Sequence, residues 1–388
     1  MQTIVIVKKG AIRLRDGHPW AFKGEITESG SKAAPGSVVR AVDEAGKLIG
    51  LGFYNANTVI SFRMITRQDE TIDRDFWRRR LKRAQALREL VLNPQDDTGR
   101  MIHAEADGIP GLIVDRYGDL LTIQTLIAGI DRERALWVEL LQEHYRPRAI
   151  LARNDQKNRE LEGLEQEKVA LYGEVPKELI IQENGLKFWV DPWNGQKTGA
   201  FLDQRENRVA VRAYARGRML DAFTYQGWFA INCATRANEV TALDASAPAV
   251  EMVRRNASLN GSTNVQAVQT DVFDFLTAAV KRGEKYDTIL LDPPAFAKTR
   301  QTIEAGVKGY KEINLRAMRM LPEGGILVTS SCSYHLSEER FLAVVEEAAR
   351  DTGRQIQVLE KRTQGRDHPL LLTHPESYYL KCFILRVL

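Results

Sequence analysis

Residues Tyr286-Asp-Thr-Ile-Leu-Leu-Asp-Pro-Pro-Ala-Phe-Ala-Lys298 run an apolar strand into a turn that cannot prolong it. Proline has no N–H and a fixed φ, so Pro293 and Pro294 stop the ladder just after Asp292 and stiffen the turn. The carbonyls before them are then free to face a planar group, and Phe296 can stack on it; a plain strand-ending turn is the simpler reading. Upstream of this stretch, Met219–Ala222 precedes a helix at Phe229–Ala234, Glu239–Leu243 precedes Ala247–Asn260, and Val265–Val268 precedes Val272–Arg282. Downstream, Tyr286–Leu291 leads to a helix around Ile313–Met320, and Gly325–Ser330 to Ser337–Ala349. Two strands, Gln355–Leu359 and Tyr378–Val387, close the chain. Repeated βα units predict an α/β, doubly wound, mostly parallel sheet with helices on both faces. Ligands in such sheets bind at the carboxyl ends of the strands.

Three carboxylates fall at such ends. The first strand runs into Asp221-Ala-Phe-Thr-Tyr-Gln-Gly-Trp-Phe-Ala230, which contains Phe223 and Gly227. It has one glycine and no GxGxxG fingerprint, which disfavours a nicotinamide cofactor. The chain also has no Walker A loop. Asp244 ends the next strand, 23 residues on, where an acid can accept hydrogen bonds from both hydroxyls of a ribose. Asp271 is expected to end the third, beside an adenine amino group. Each alone is commonly a helix cap or turn residue. Together they match the layout of a class I S-adenosylmethionine methyltransferase.

The fifth strand ends in Thr329-Ser-Ser-Cys-Ser-Tyr-His335. A lone cysteine is most often packing, and Cys233 in an apolar helix and Cys382 in a terminal strand read that way. Cys332, in a polar loop, is a candidate nucleophile, because hydroxyls, nearby basic groups and partial exposure favour the thiolate. Thiolate chemistry suits a pyrimidine ring. Carbon 5 of cytosine or uracil is too weak a nucleophile unaided, and thiolate addition at carbon 6 makes it enamine-like. Transfer to a base nitrogen, guanine for example, needs no cysteine.

The N-terminal half differs. Short strands at Ile4–Lys8, Val38–Val42, Leu48–Tyr54 and Val59–Ile65, separated by turns such as Gly30–Ser37, predict a small β-barrel-like domain over residues 1–70. A compact α+β middle domain spans 71–185, and the α/β domain 186–388. The 388 residues are 44% hydrophobic and 27% charged, which excludes a disordered chain. No apolar run is long enough to span a membrane. Three cysteines cannot build a disulfide framework, and a cytoplasmic location fits best. Net charge is only +4, but residues 1–68 hold ten Lys or Arg against five acids. Between Arg74 and Arg88, seven basic residues, Arg79 and Arg83 among them, accompany one acid on an amphipathic helix. That helix is either a solvated face or a phosphate-tracking surface.

Across nearly its whole length the chain resembles the PUA-domain class I methyltransferases of the ribosomal RNA large subunit methyltransferase I type. The resemblance is carried by Gly17-His-Pro-Trp20, Gly108-Ile-Pro-Gly-Leu-Ile-Val-Asp-Arg-Tyr117, Lys197-Thr-Gly-Ala-Phe-Leu-Asp-Gln-Arg205, Asp292-Pro-Pro-Ala-Phe296 and Ser331-Cys-Ser333. It implies a PUA domain for RNA binding, S-adenosylmethionine as cofactor with Gln204 and Arg205 helping to hold it, and 5-methylcytosine in large-subunit ribosomal RNA as product. It leaves monomer and homodimer both open. Many RNA cytosine methyltransferases carry a second cysteine in the Asp-Pro-Pro turn. This chain has none, so the base that removes the carbon-5 proton is unassigned, and Asp292 is expected to hydrogen-bond nitrogen 3 of the pyrimidine. A noncatalytic RNA-binding assembly module would suit the basic N-terminus but leave the three carboxylates unexplained.

Overall fold

The computed structural model of the protein describes residues 1–27, 33–297 and 300–388. Glu28 and Lys32 of the N-terminal charge count, the Gly30–Lys32 part of the expected turn, and Lys298 lie outside the described residues. Two compact units form: residues 1–182, 190–202 and 366–377 make one, and 183–189, 203–365 and 378–388 the other. Residues 1–70 and 71–182 thus share one unit, which also takes 190–202 and 366–377 from the expected third domain, while 183–185 fall in the other. One reason is a common core, in which Phe53 and Ile65 pack with Phe76, Trp77, Ile102 and Trp137.

In the first unit, β1 (Gln2–Ile6), β2 (Trp20–Ala21), β3 (Ser37–Asp43), β4 (Leu48–Tyr54) and β5 (Phe62–Thr66) form a sheet in the order β1-β3-β4-β5-β2. The pair β1–β3 is parallel. Residues 8–15, in the connection between them, are a helix that the sequence reading missed. Its Gly10, Ala11 and Leu14 are buried, and a Cβ at position 10 would come within 2.9 Å of Ile6. A second sheet, β6 (Thr98–His103), β7 (Leu112–Tyr117), β8 (Leu120–Thr125), β9 (Ala149–Asn154) and β10 (Glu167–Tyr172), runs in the order β10-β9-β8-β7-β6. The helices Arg74–Val91 and Arg134–Tyr145 belong to this unit. The strands β11 (Leu179–Glu183) and β12 (Leu186–Val190) pair as a hairpin.

The second unit holds β13 (Arg218–Ala222), β14 (Glu239–Asp244), β15 (Val265–Gln269), β16 (Thr288–Leu291), β17 (Ile326–Ser331), β18 (Ile356–Arg362) and β19 (Lys381–Val387), ordered β15-β14-β13-β16-β17-β19-β18. All pairs from β15 to β17 are parallel, and β19 is antiparallel to both its neighbours. Every residue of β16 and β17 is buried, as expected of strands covered on both faces. Helices Val272–Lys281, Ile303–Met320 and Glu338–Thr352 pack in one core cluster, and Arg205–Tyr214, Trp228–Ala234 and Ala247–Leu259 contribute to another. Strand order reverses between β13 and β16, so the crevice at their carboxyl ends is the expected ligand site. Among the described residues no helix is long and apolar enough to cross a membrane.

Candidate active site

The loop after β13 is bent away from ordinary geometry. Phe223 and Tyr225 take positive φ (65° and 51°), as does Gly227 (80°). For the two aromatics this costs about 1–2 kcal/mol each, and strain of this kind gathers at ligand sites. A Cβ at position 227 would lie 2.9 Å from Val253, so glycine is required both by φ and by space. The loop is held by Asp244: its carboxylate accepts the Tyr225 amide and the Ser246 amide, each at 2.9 Å.

Asp221 is fully buried. Thr224 donates to its Oδ2 at 2.6 Å, and among the described residues its Oδ1 has no hydrogen-bond partner. Burial, and then the nearby carboxylates of Asp292 and Asp244, push its pKa up to about 7. The buried Asp221 carboxylate, with Asp292 and Asp244 nearby, fits a ligand that carries a sulfonium and an ammonium. Asp271 does not end a strand. β15 stops at Gln269, and Asp271 is the exposed N-cap of the next helix, accepting the Asp274 amide at 3.0 Å. Gln204 and Arg205, at the start of helix Arg205–Tyr214, are both buried, and Gln204 donates to Asp292 at 3.0 Å.

The Asp292 turn leaves Pro293 buried and Pro294 exposed. Phe296 does not stand free for stacking. Its ring is half-buried among Tyr310, Phe273 and Phe223, with centroids 4.8, 5.9 and 6.2 Å away. Gly306 makes room for this turn, since a Cβ there would meet the Ala297 amide nitrogen at 2.9 Å. Cys332 follows β17 directly and is half-buried, whereas Ser331 and Ser333 on either side are fully buried. Ser331 donates to the Tyr310 hydroxyl at 3.0 Å, and Tyr310 and Ser333 share a 3.0 Å hydroxyl contact. Ser333 Oγ accepts the Ala297 amide at 3.1 Å, which ties the cysteine segment to the Asp-Pro-Pro turn. Tyr310 escaped the sequence reading, because nothing local marks a tyrosine 21 residues upstream as the partner of Ser331. Cys233 and Cys382 are buried, and burial pushes both thiols up, Cys382 to about 12.

The basic helix is largely neutralised. Arg74 and Arg78 pair with Glu139 and Glu143, Arg79 pairs with Glu70, and Arg88 is buried against Asp107. Arg13, Arg15, Arg40 and Arg63 of the N-terminal segment are likewise paired. Lys82 and Arg83 are exposed and, among the described residues, make no ion pair.

The PUA-like domain family matches residues 4–67, and the S-adenosylmethionine-dependent methyltransferase family matches residues 165–371. A Shigella dysenteriae protein named ribosomal RNA large subunit methyltransferase I is 38% identical over 99% of this chain and 98% of its own. An Aeromonas salmonicida protein of the same name is 40% identical over the same shares. The chain belongs to this family of S-adenosylmethionine-dependent methyltransferases. The fold agrees. A solved Streptococcus mutans protein classed as a S-adenosylmethionine-dependent methyltransferase covers 100% of both chains with a TM-score of 0.85 at 20% identity. Another solved methyltransferase, in complex with S-adenosylhomocysteine, gives 0.86 at 19%.

Cofactor binding by this methyltransferase should depend on pH. A cationic ligand favours ionised Asp221, so binding releases a proton wherever the free protein holds one. Between pH 6 and 8 the affinity for S-adenosylmethionine should rise about tenfold. The sign for stability is opposite. The folded chain binds more protons at Asp221 than the unfolded one between about pH 4 and 7, so this group's contribution falls as pH rises across that window. Thermal stabilisation by saturating cofactor should accordingly be larger at pH 8 than at pH 6. A flat affinity profile in calorimetry would remove Asp221 from the site.

Proposed function

We propose that this methyltransferase modifies carbon 5 of a cytosine in large-subunit ribosomal RNA through a covalent adduct with Cys332. The observation that carries the reading is the half-buried Cys332 at the carboxyl end of β17, in a segment that Ser333 ties to the Asp292-Pro-Pro turn, while the other two cysteines are sealed in core. The names of the relatives support ribosomal RNA as substrate, and the PUA-like match over residues 4–67 is consistent with it.

S-adenosylmethionine supplies an electrophilic methyl group. The chain's part is to make carbon 5 nucleophilic. The Cys332 thiolate adds to carbon 6, the ring electrons move to carbon 5, and after transfer the carbon-5 proton is removed and the thiolate expelled. Asp292, hydrogen-bonded by Gln204, is assigned the hydrogen bond to nitrogen 3 that eases attack. Pro293 and Pro294 shape the turn beneath the base, and Phe296 stiffens it from within its aromatic cluster. Asp221, Phe223 and Gly227 are assigned to the cofactor loop that Asp244 holds, and Gln204, Arg205 and Asp271 are assigned further cofactor contacts.

Nucleoside mass spectrometry of RNA methylated by the purified protein tests the reading. It predicts 5-methylcytidine, and a methylated guanosine contradicts it. For RNA contact we assign Arg83 a larger role than Arg79, whose charge Glu70 already offsets. Arg83→Glu should weaken RNA binding several-fold and lower the salt slope by about one. Arg79→Glu should do less. An unchanged slope in both variants leaves the helix a solvated face.

A further inference from the structure

Lys381 is a lysine in the buried heart of a sheet. It opens β19, pairs directly with Ser331 of β17, and is only 2% exposed. Its ammonium donates to the carbonyls of Ser333 at 2.7 Å and Tyr379 at 2.9 Å. The side chain therefore reaches from the residue before Cys332 to the residue after it. Among the described residues, no carboxylate lies within ion-pair distance of it. Glu338, an acid that acts on it, is committed to Lys361 at 3.0 Å and to the Tyr378 hydroxyl at 2.6 Å. A buried cation satisfied only by neutral carbonyls is costly, and it favours any neighbour able to take a negative charge.

We propose that Lys381 is a positioning residue for the methyl-transfer chemistry: its buried ammonium is the standing counter-charge that holds Cys332 as thiolate and fixes the cysteine segment by its bond to Ser333. This rests on the reading of Cys332 as nucleophile. The ionisation is simple. The S–H bond breaks heterolytically, the electron pair stays on sulfur, and the proton leaves to water. On the elements packed here, Lys381 from β19 and Tyr310 from helix Ile303–Met320 feel the charge of Cys332, and Glu338 from helix Glu338–Thr352 acts on Lys381. Of these Lys381 is the buried cation. Desolvation lowers its pKa to about 8, and the negative charge of Cys332 acts to raise it. By reciprocity the lysine must lower the thiol.

The test reads the thiol rather than methylation, so it stands apart from the fate of the cytosine reading. Alkylation of Cys332 by iodoacetamide is followed against pH, with the modified peptide quantified by mass spectrometry. The buried Cys233 and Cys382 should not compete. In the wild-type protein the midpoint should lie below the ordinary thiol value of about 8.5. In Lys381→Met it should rise by about one unit or more, with alkylation at pH 7 slowed about tenfold, and Lys381→Arg should restore most of the shift. A Lys381→Met protein that still binds S-adenosylmethionine and keeps the wild-type midpoint overturns the proposal. Should that variant not fold, Cys332→Ser serves. Titration of the Lys381 side chain by NMR should then show a lower midpoint than in wild type, and an unmoved midpoint overturns the proposal equally. If thiol and lysine prove coupled while Cys332→Ala still methylates RNA, the coupling stands and the nucleophile assignment falls.

Discussion

Replacing Cys332 with alanine should abolish methylation, by on the order of 10⁴-fold or more, while leaving cofactor affinity within about twofold of wild type. Without the sulfur, carbon 5 of a pyrimidine has no route to becoming nucleophilic, and no neighbouring group can substitute. Cys233 lies inside helix Trp228–Ala234 and Cys382 inside β19, both fully buried. The fold should tolerate the change. Cys332 is half-buried, and bonds of Ser331, Ser333 and Tyr310 also fix its segment. A single-turnover assay beside calorimetric titration of S-adenosylmethionine separates the two effects. A variant methylating at near-normal rate would remove the covalent step and favour attack by a base nitrogen.

Asp244→Ala should raise the dissociation constant for S-adenosylmethionine about 10- to 100-fold. The carboxylate has two tasks. It accepts the amides of Tyr225 and Ser246, which holds a loop with two aromatic residues at positive φ, and it is assigned the ribose hydroxyls. Hydrogen bonds to a charged acceptor contribute about 1.5–3 kcal/mol, and each 1.4 kcal/mol is tenfold in affinity. Asp244→Asn keeps one acceptor oxygen and should lose less. Calorimetry decides the matter: wild-type affinity in the alanine variant would take Asp244 out of the cofactor site.

The alternation of strands and helices after residue 218 was legible because each element's burial is written in its own residues. Buried parallel strands are apolar runs and their helices are amphipathic, so β13, β14, β16 and β17 appear within a residue or two of their expected ends. Asp221, Asp244 and Cys332 drew notice for the same reason: polar residues at the carboxyl ends of apolar strands stand out. What failed was whatever depends on distant partners. The Arg74–Arg88 segment is a basic helix on paper, yet Glu139 and Glu143, about 65 residues away in sequence, quench Arg74 and Arg78. Phe296 carries the composition of a stacking residue, but the room that Gly306 leaves lets its turn pack inward. The helix at Lys8–Arg15 is too short, and too rich in glycine and charge, to declare itself by periodicity. Lys381 did leave a trace, as the lone charge in Leu380-Lys-Cys-Phe-Ile-Leu385, a stretch otherwise composed for burial.

The central claim is a bond between Cys332 and the base, and RNA carrying 5-fluorocytosine at the target position tests it most directly. Fluorine cannot leave carbon 5 as a cation, so elimination stalls after methyl transfer and the adduct persists. The account predicts an RNA–protein conjugate that survives denaturation, forms only with S-adenosylmethionine present, and maps by peptide mass spectrometry to Cys332. Release of free, methylated RNA with no conjugate, or a conjugate mapping to another residue, would contradict it.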